Sequence, residues 1–118
     1  LTNYNYFVIN MNKWQIIITP WVQEFILSTQ PAEQSKIKQI ILLFAEYGPT
    51  LPNKYLKRLS GTKKLWEIRA KRARVFLVII KNQGITVHGI FKKTQKTPKR
   101  DIDLALQRWE KAKKELNI

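Results

Sequence analysis

Between residues 54 and 100 the sequence carries fifteen Lys and Arg residues and one acid, Glu67. Residues 1–53 and 101–118 are each electrically neutral, so the entire net charge of +14 lies in the central segment. Solvated surfaces intersperse charges of both signs. Segregation on this scale adds self-repulsion and is the electrostatic footprint of a polyanionic partner. The densest run is His88 to Arg100, HGIFKKTQKTPKR, with Lys92, Lys93, Lys96, Lys99 and Arg100 inside nine positions. A guanidinium can grip two phosphate oxygens with its planar fork, while Lys supplies a point charge. Glu67, alone among these cations, can serve as a base or as the counter-charge that holds arginines in place. The run spans a strand end and a helix start, where helix N-terminal amides add positive potential for phosphate. It reads as the rim of a cleft.

Other chemistries are poorly supplied. With no Cys and a single His, His88, the chain offers neither a thiolate site nor a histidine-rich metal site. No metal or cofactor is expected. No apolar run approaches the roughly 18 residues needed to span a membrane. The first residues, LTNYNYFVIN, lack the basic end and long apolar stretch of a signal peptide. The expectation is a cytoplasmic protein. Met11 is the only Met, and residues 1–10 are uncharged and rich in Asn and Tyr. They are expected to be a dispensable extension before a single domain at 11–118.

The elements that must position the cations follow from pattern. Residues 13–19, KWQIIIT, are β-branched and apolar, a strand. Thr19-Pro20 then opens a short helix, with Thr as cap and Pro in the first turn, carrying Trp21, Phe25 and Ile26 inward. A second helix runs from Pro31 to Tyr47, with Ile37, Ile40, Ile41, Phe44 and Tyr47 on one stripe. Gly48-Pro49 ends it. Residues 50–64 read as a loop with at most one helical turn. LWEIRA, 65–70, alternates, placing Leu65, Glu67 and Arg69 on one face and Trp66 and Ile68 on the other. RVFLVII, 74–80, is apolar enough for a central strand covered on both faces. Asn82-Gln83-Gly84 reads as the turn of an antiparallel hairpin with 85–91, whose alternation puts His88 on the face of Thr86 and Ile90. Thr97-Pro98 opens the last helix, with Ile102, Ala105, Trp109, Ala112 and Leu116 inward. The order β-α-α-β-β-β-α predicts an α+β domain: a small antiparallel-rich sheet, two N-terminal helices and one C-terminal helix.

LKRLSGTKKLWEIR, followed by RVFLVIIKNQGITVHGIFKKTQKTPKRDIDLALQR, resembles the RelE/ParE toxin superfamily, and within it the phage Gp49-like, HigB-type toxins. The likeness extends over about residues 13–110. The resemblance implies a RelE-like fold and a cytosolic toxin of a type II toxin–antitoxin system that cleaves mRNA, usually on the translating ribosome. It also implies a cognate helix-turn-helix (HigA-like) antitoxin. It points to Arg69, Arg74 and Lys93 as catalytic. Metal-free RNA cleavage needs donors for the phosphorane, a base for the 2′-OH and an acid for the leaving oxygen. Lys63, Lys64, Lys71, Arg72, Lys92, Lys96, Lys99 and Arg100 would bind RNA or ribosome, and Phe91 would stack on a base. Glu67 would pair with the arginines or act as base, the pairing role being favoured. His88 reads as a satisfied core or edge histidine. The superfamily often has a Tyr or His near its final helix; here Lys99 and Arg100 stand there, leaving the general acid unassigned. Alternatives are a non-catalytic nucleic-acid-binding module, a ParE-like gyrase poison on the same fold, and a decayed toxin that retains only antitoxin binding.

Overall fold

The computed structural model describes residues 5–11 and 13–118. Six strands form one sheet: β1 (Phe7–Met11), β2 (Trp14–Ile18), β3 (Leu56–Arg58), β4 (Leu65–Ala70), β5 (Ala73–Ile80) and β6 (Gln83–Phe91), in the order β1-β2-β6-β5-β4-β3. All neighbours are antiparallel except β2 and β6. Helices α1 (Pro20–Ser28) and α2 (Pro31–Tyr47) cover one face, and α3 (Lys99–Glu115) covers the other. This is an α+β architecture compatible with a RelE-like fold.

β5 lies in the interior of the sheet and is apolar on both faces because both are covered. Val75 and Leu77 join the core under α1 and α2, and Phe76 and Val78 join the core under α3. On β4 the expected alternation holds. Ile68 and Ala70 pack toward α2, while Leu65 packs toward α3. The α2 stripe is buried at Ile37, Ile40, Ile41 and Phe44, but Tyr47 at its end is exposed, as are Phe7, Leu27 and Leu42. Val22 and Ile26 are the buried residues of α1, and Trp21 and Phe25 are half-buried. Gly48, at φ 65°, closes α2. A Cβ there would overlap the Trp14 ring, so both conformation and space demand glycine.

Several local expectations are corrected. The segment 50–64 contains β3, a short edge strand paired to β4. Its three residues are too few for a period to show in sequence. The β5–β6 turn is Lys81-Asn82, with Lys81 at φ 55°, and Gln83 and Gly84 already belong to β6. Helix α3 begins at Lys99 with Pro98 at the N-cap, one residue later than expected, so Thr97 does not cap it. The expected face of His88 holds for Ile90, which it shares, but not for Thr86. Phe76 pairs with His88 but Leu77 pairs with Thr86, so Val87 is an extra residue in β6. That bulge inverts the alternation: Thr86 faces α1 and bonds to Ile17 and Thr19, whereas His88 turns toward α3.

The uncharged segment read as a separable extension contributes β1, which pairs with β2 from Phe7↔Ile18 to Met11↔Trp14. Tyr6 packs against the α3-side core and donates a hydrogen bond to Glu115. Residues 1–4 of that segment lie outside the described residues. A chain starting at Met11 loses this strand and bares the β2 edge. Its melting temperature is expected to fall by roughly 5 °C or more, as for a loss of about 1 kcal/mol in a domain of this size. Differential scanning fluorimetry of the two chains measures it, and equal melting temperatures would show that β1 adds nothing.

Candidate active site

The antiparallel register of β4 and β5 sets Arg69 directly opposite Arg74. Two cations on facing strand positions repel. Glu67, two residues before Arg69 and therefore on its face, lies between them. Its side chain is only 4% exposed, with Oε2 3.6 Å from Arg69 Nε and Oε1 3.9 Å from Arg74 Nε. These are ion pairs longer than hydrogen bonds. Backbone carbonyls hold the guanidiniums from behind: Arg69 Nη1 donates to Asn53 O, and Arg74 Nη1 donates to Lys71 O at 2.6 Å and Ala73 O at 3.0 Å. Neither Nε has a hydrogen-bond partner in the protein. Burial lowers the Arg74 pKa and Glu67 raises it. Arg remains a cation throughout the working range.

Arg69 and Arg74 open into a basic concavity of about 370 Å³, completed by Lys71, Arg72, Lys92, Lys93, Thr94 and Gln95. Lys71 is at φ 57°, in the tight β4–β5 turn. The Lys92 N–H donates to Arg72 O at 2.8 Å, which fastens the start of the basic run to that turn. Lys92 and Gln95 also line a second, larger groove of about 720 Å³, which runs between the β3–β4 loop and the first turns of α3. The two spaces thus meet at Lys92 and form one track along the α3 side of the sheet.

The structure gathers Arg69, Arg74, Lys71, Arg72, Lys92 and Lys93 around one space, with Glu67 behind them. Lys96 and Lys99 line the larger groove, and Lys99 is paired with Asp103 at 2.9 Å. Lys63, Lys64 and Arg100 are exposed and line neither space. Phe91 lies apart from these residues. It pairs with Ala73, faces α1, and packs its ring 5.0 Å from that of Phe25, on the sheet face opposite Arg69 and Arg74. Sequence reasoning missed Lys57 and Arg58, which line the larger groove from β3. Their signal was a basic pair inside a segment read as loop.

His88 is 7% exposed and held at both ring nitrogens. Arg108 Nη1 lies 2.9 Å from Nδ1, and Asp101 Oδ1 lies 2.9 Å from Nε2. A guanidinium can only donate, so Nδ1 is the acceptor and Nε2–H donates to Asp101. The ring is therefore neutral and clasps the start and middle of α3 to β6. Burial lowers its pKa most, the Asp101 hydrogen bond raises it, and the Arg108 charge lowers it further, with a net downward shift.

A model of the family described as phage derived protein Gp49-like (DUF891) matches residues 24–110, a span that contains every residue lining the two spaces. The chain belongs to this family, which lies in the RelE/HigB toxin-like group. No curated protein matches it. The family points to a toxin of toxin–antitoxin type. Among the described residues no helix is long and apolar enough to cross a membrane.

Two outcomes follow from the electrostatics. Removing Glu67 leaves two guanidiniums facing each other without a counter-charge. Because Arg69 is a third exposed, the cost of Glu67→Ala is set below the full buried-pair figure, at about 2–3 kcal/mol. Urea unfolding measures it. His88 has a folded pKa below its unfolded value near 6.5. The unfolded chain therefore takes up the proton first, and stability present above that value is lost as pH falls below it. Melting temperature should decline from pH 7.5 to 5.5 in the wild type, and less steeply in His88→Gln.

Proposed function

We propose that the protein is a metal-independent endoribonuclease toxin that cleaves mRNA on the translating ribosome and so arrests growth. The observation that carries this reading is the cross-strand pair Arg69 and Arg74, seated on a buried carboxylate at the wall of a basic concavity. A surface that merely binds RNA backbone needs exposed cations. It does not need two guanidiniums pre-oriented by backbone carbonyls and a nearly inaccessible Glu67.

The ribose 2′-hydroxyl gives up its proton as its oxygen attacks the adjacent phosphorus, the P–O5′ bond breaks, and the leaving O5′ takes up a proton, so the products are a 2′,3′-cyclic phosphate and a free 5′-hydroxyl. Negative charge grows on the non-bridging oxygens along this path. Donors already fixed toward those oxygens lower the barrier without reorganising. Arg69 and Arg74 supply the planar forks, and Lys92 and Lys93 add point charges at the mouth. Glu67 acts as the positioning counter-charge. Lys63, Lys64 and Arg100, exposed outside the two spaces, would meet ribosomal RNA backbone. A helix-turn-helix antitoxin is the partner that holds the toxin inactive, and the charge of +14 makes its association fast and salt-sensitive. Co-expression with such a partner should restore growth and yield a complex on gel filtration; arrest despite co-expression would exclude it.

Single-turnover cleavage of mRNA on purified ribosomes, with pelleting of bound protein alongside, tests the enzyme. Arg69→Ala and Arg74→Ala should each slow cleavage on the order of 100- to 1000-fold while ribosome binding survives. Arg→Lys at either position should also fail, because a point charge cannot replace the fork. Lys63→Ala should weaken binding modestly and lower its salt slope by about one. If both classes of variant lose cleavage and binding in proportion, the protein is a binding module and not a nuclease.

A further inference from the structure

The two edges of the sheet are built differently. β3 is three residues long, and two of them, Lys57 and Arg58, are exposed cations. Shortness and charge are means by which edge strands avoid pairing with other chains. β1 has neither protection. It is five residues, FVINM, without charge or proline, and among the described residues its one strand neighbour is β2. Phe7, Val8 and Met11 are exposed along it. The strand is held in place before any partner arrives: Gln23 Nε2 donates to Asn5 O, and Tyr6 donates to Glu115, fastening its start to α1 and α3. Phe7 and Ile9 continue into an apolar groove of about 390 Å³ between β1, α1 and α2, walled by Ile26, Leu27, Ile41 and Leu42. Leu27 is 76% exposed and Leu42 50%. Lys38 is the one charged residue that lines this groove.

Charge decides what can cover this surface. A partner drawn by the net charge of +14 is drawn to residues 54–100, and the β1 edge offers it nothing. Arg74 on β5 and Arg69 on β4 lie three and four strand spacings from β1, roughly 14 and 19 Å across the sheet. Both distances exceed the Debye length of about 8 Å at physiological salt. A second copy of the chain, repelled where the cations lie, can therefore meet the first here. FVINM is also complementary to itself. Antiparallel pairing about Ile9 sets Phe7 opposite Met11, and Val8 opposite Asn10, of the other copy. Phe7, Ile9 and Met11 share the α1–α2 face by alternation. A two-fold axis normal to the sheet keeps that face common to both copies, so the two grooves join into one apolar seam. We propose that β1 and this groove are the surface by which two copies of the chain pair edge to edge, joining their six-stranded sheets into one. The arginine concavities then lie toward the outer ends and stay open.

Sedimentation velocity of the intact chain from about 1 to 200 µM tests the pairing. The 14.0 kDa chain should approach twice that mass as concentration rises. Raising salt from about 0.15 to 0.5 M should leave the dimer intact or strengthen it, because salt screens like charges and spares apolar contact. Copies bridged by bound nucleic acid would instead come apart. Phe7→Lys gives β1 the guard that β3 carries and should weaken association roughly tenfold or more. If it also lowers the melting temperature, Leu42→Lys decides, since it sits on α2 and leaves the strand untouched. A monomer throughout the range, a dimer dissolved by salt, or a dimer unaffected by both variants would each overturn the proposal. A monomer whose edge variants lose only the antitoxin complex would overturn it too, and would give the edge to that partner. Neither variant touches the arginine concavity, so the result is independent of the nuclease reading.

Discussion

The site depends on one electrostatic constraint: two guanidiniums must face each other across adjacent strands inside a domain that already carries +14. In water such a pair would separate. On β4 and β5 it cannot, because the register is fixed by hydrophobic residues on both faces of the sheet. Glu67 resolves the conflict from the same face. Its ion pairs exceed 3.5 Å, so the carboxylate balances charge without a hydrogen bond to either guanidinium. A carboxylate bonded tightly to either fork would have fixed the arginine more firmly and blocked its use.

Charge and packing are divided between parts of the chain. Residues 1–53, neutral in sum, build β1, β2, α1 and α2, and the net positive charge is confined to residues 54–100. Helix α3 bridges the two regimes. Its inner stripe, Ala105, Trp109 and Ala112, is core, while its first turns wall the larger groove. His88 ties that wall to the sheet by taking Asp101 at one nitrogen and Arg108 at the other. A neutral histidine therefore helps to set the shape of the groove without lining it.

The alternation of LWEIRA was enough to place Glu67 and Arg69 on one face, and the two-sided apolarity of RVFLVII was enough to place β5 inside the sheet. Both features repeat with a period that local sequence displays directly. The α2 stripe and its Gly48 stop were legible for the same reason. So was the segregation of charge, because net charge is a sum over residues and needs no coordinates. Three things were decided only in three dimensions. The Val87 bulge sends His88 to the face opposite Thr86, and a one-residue insertion leaves no trace in a hydrophobic pattern. β3 exists because β4 offers an edge to pair with, which three residues cannot announce alone. The meeting of Glu67 with Arg74, and the groove that Glu67 lines together with the first turns of α3, depend on strand register and on the docking of α3. Composition determines which charges and periods the chain possesses. Long-range pairing determines which of them share a space, because that depends on contacts between segments that no single segment encodes.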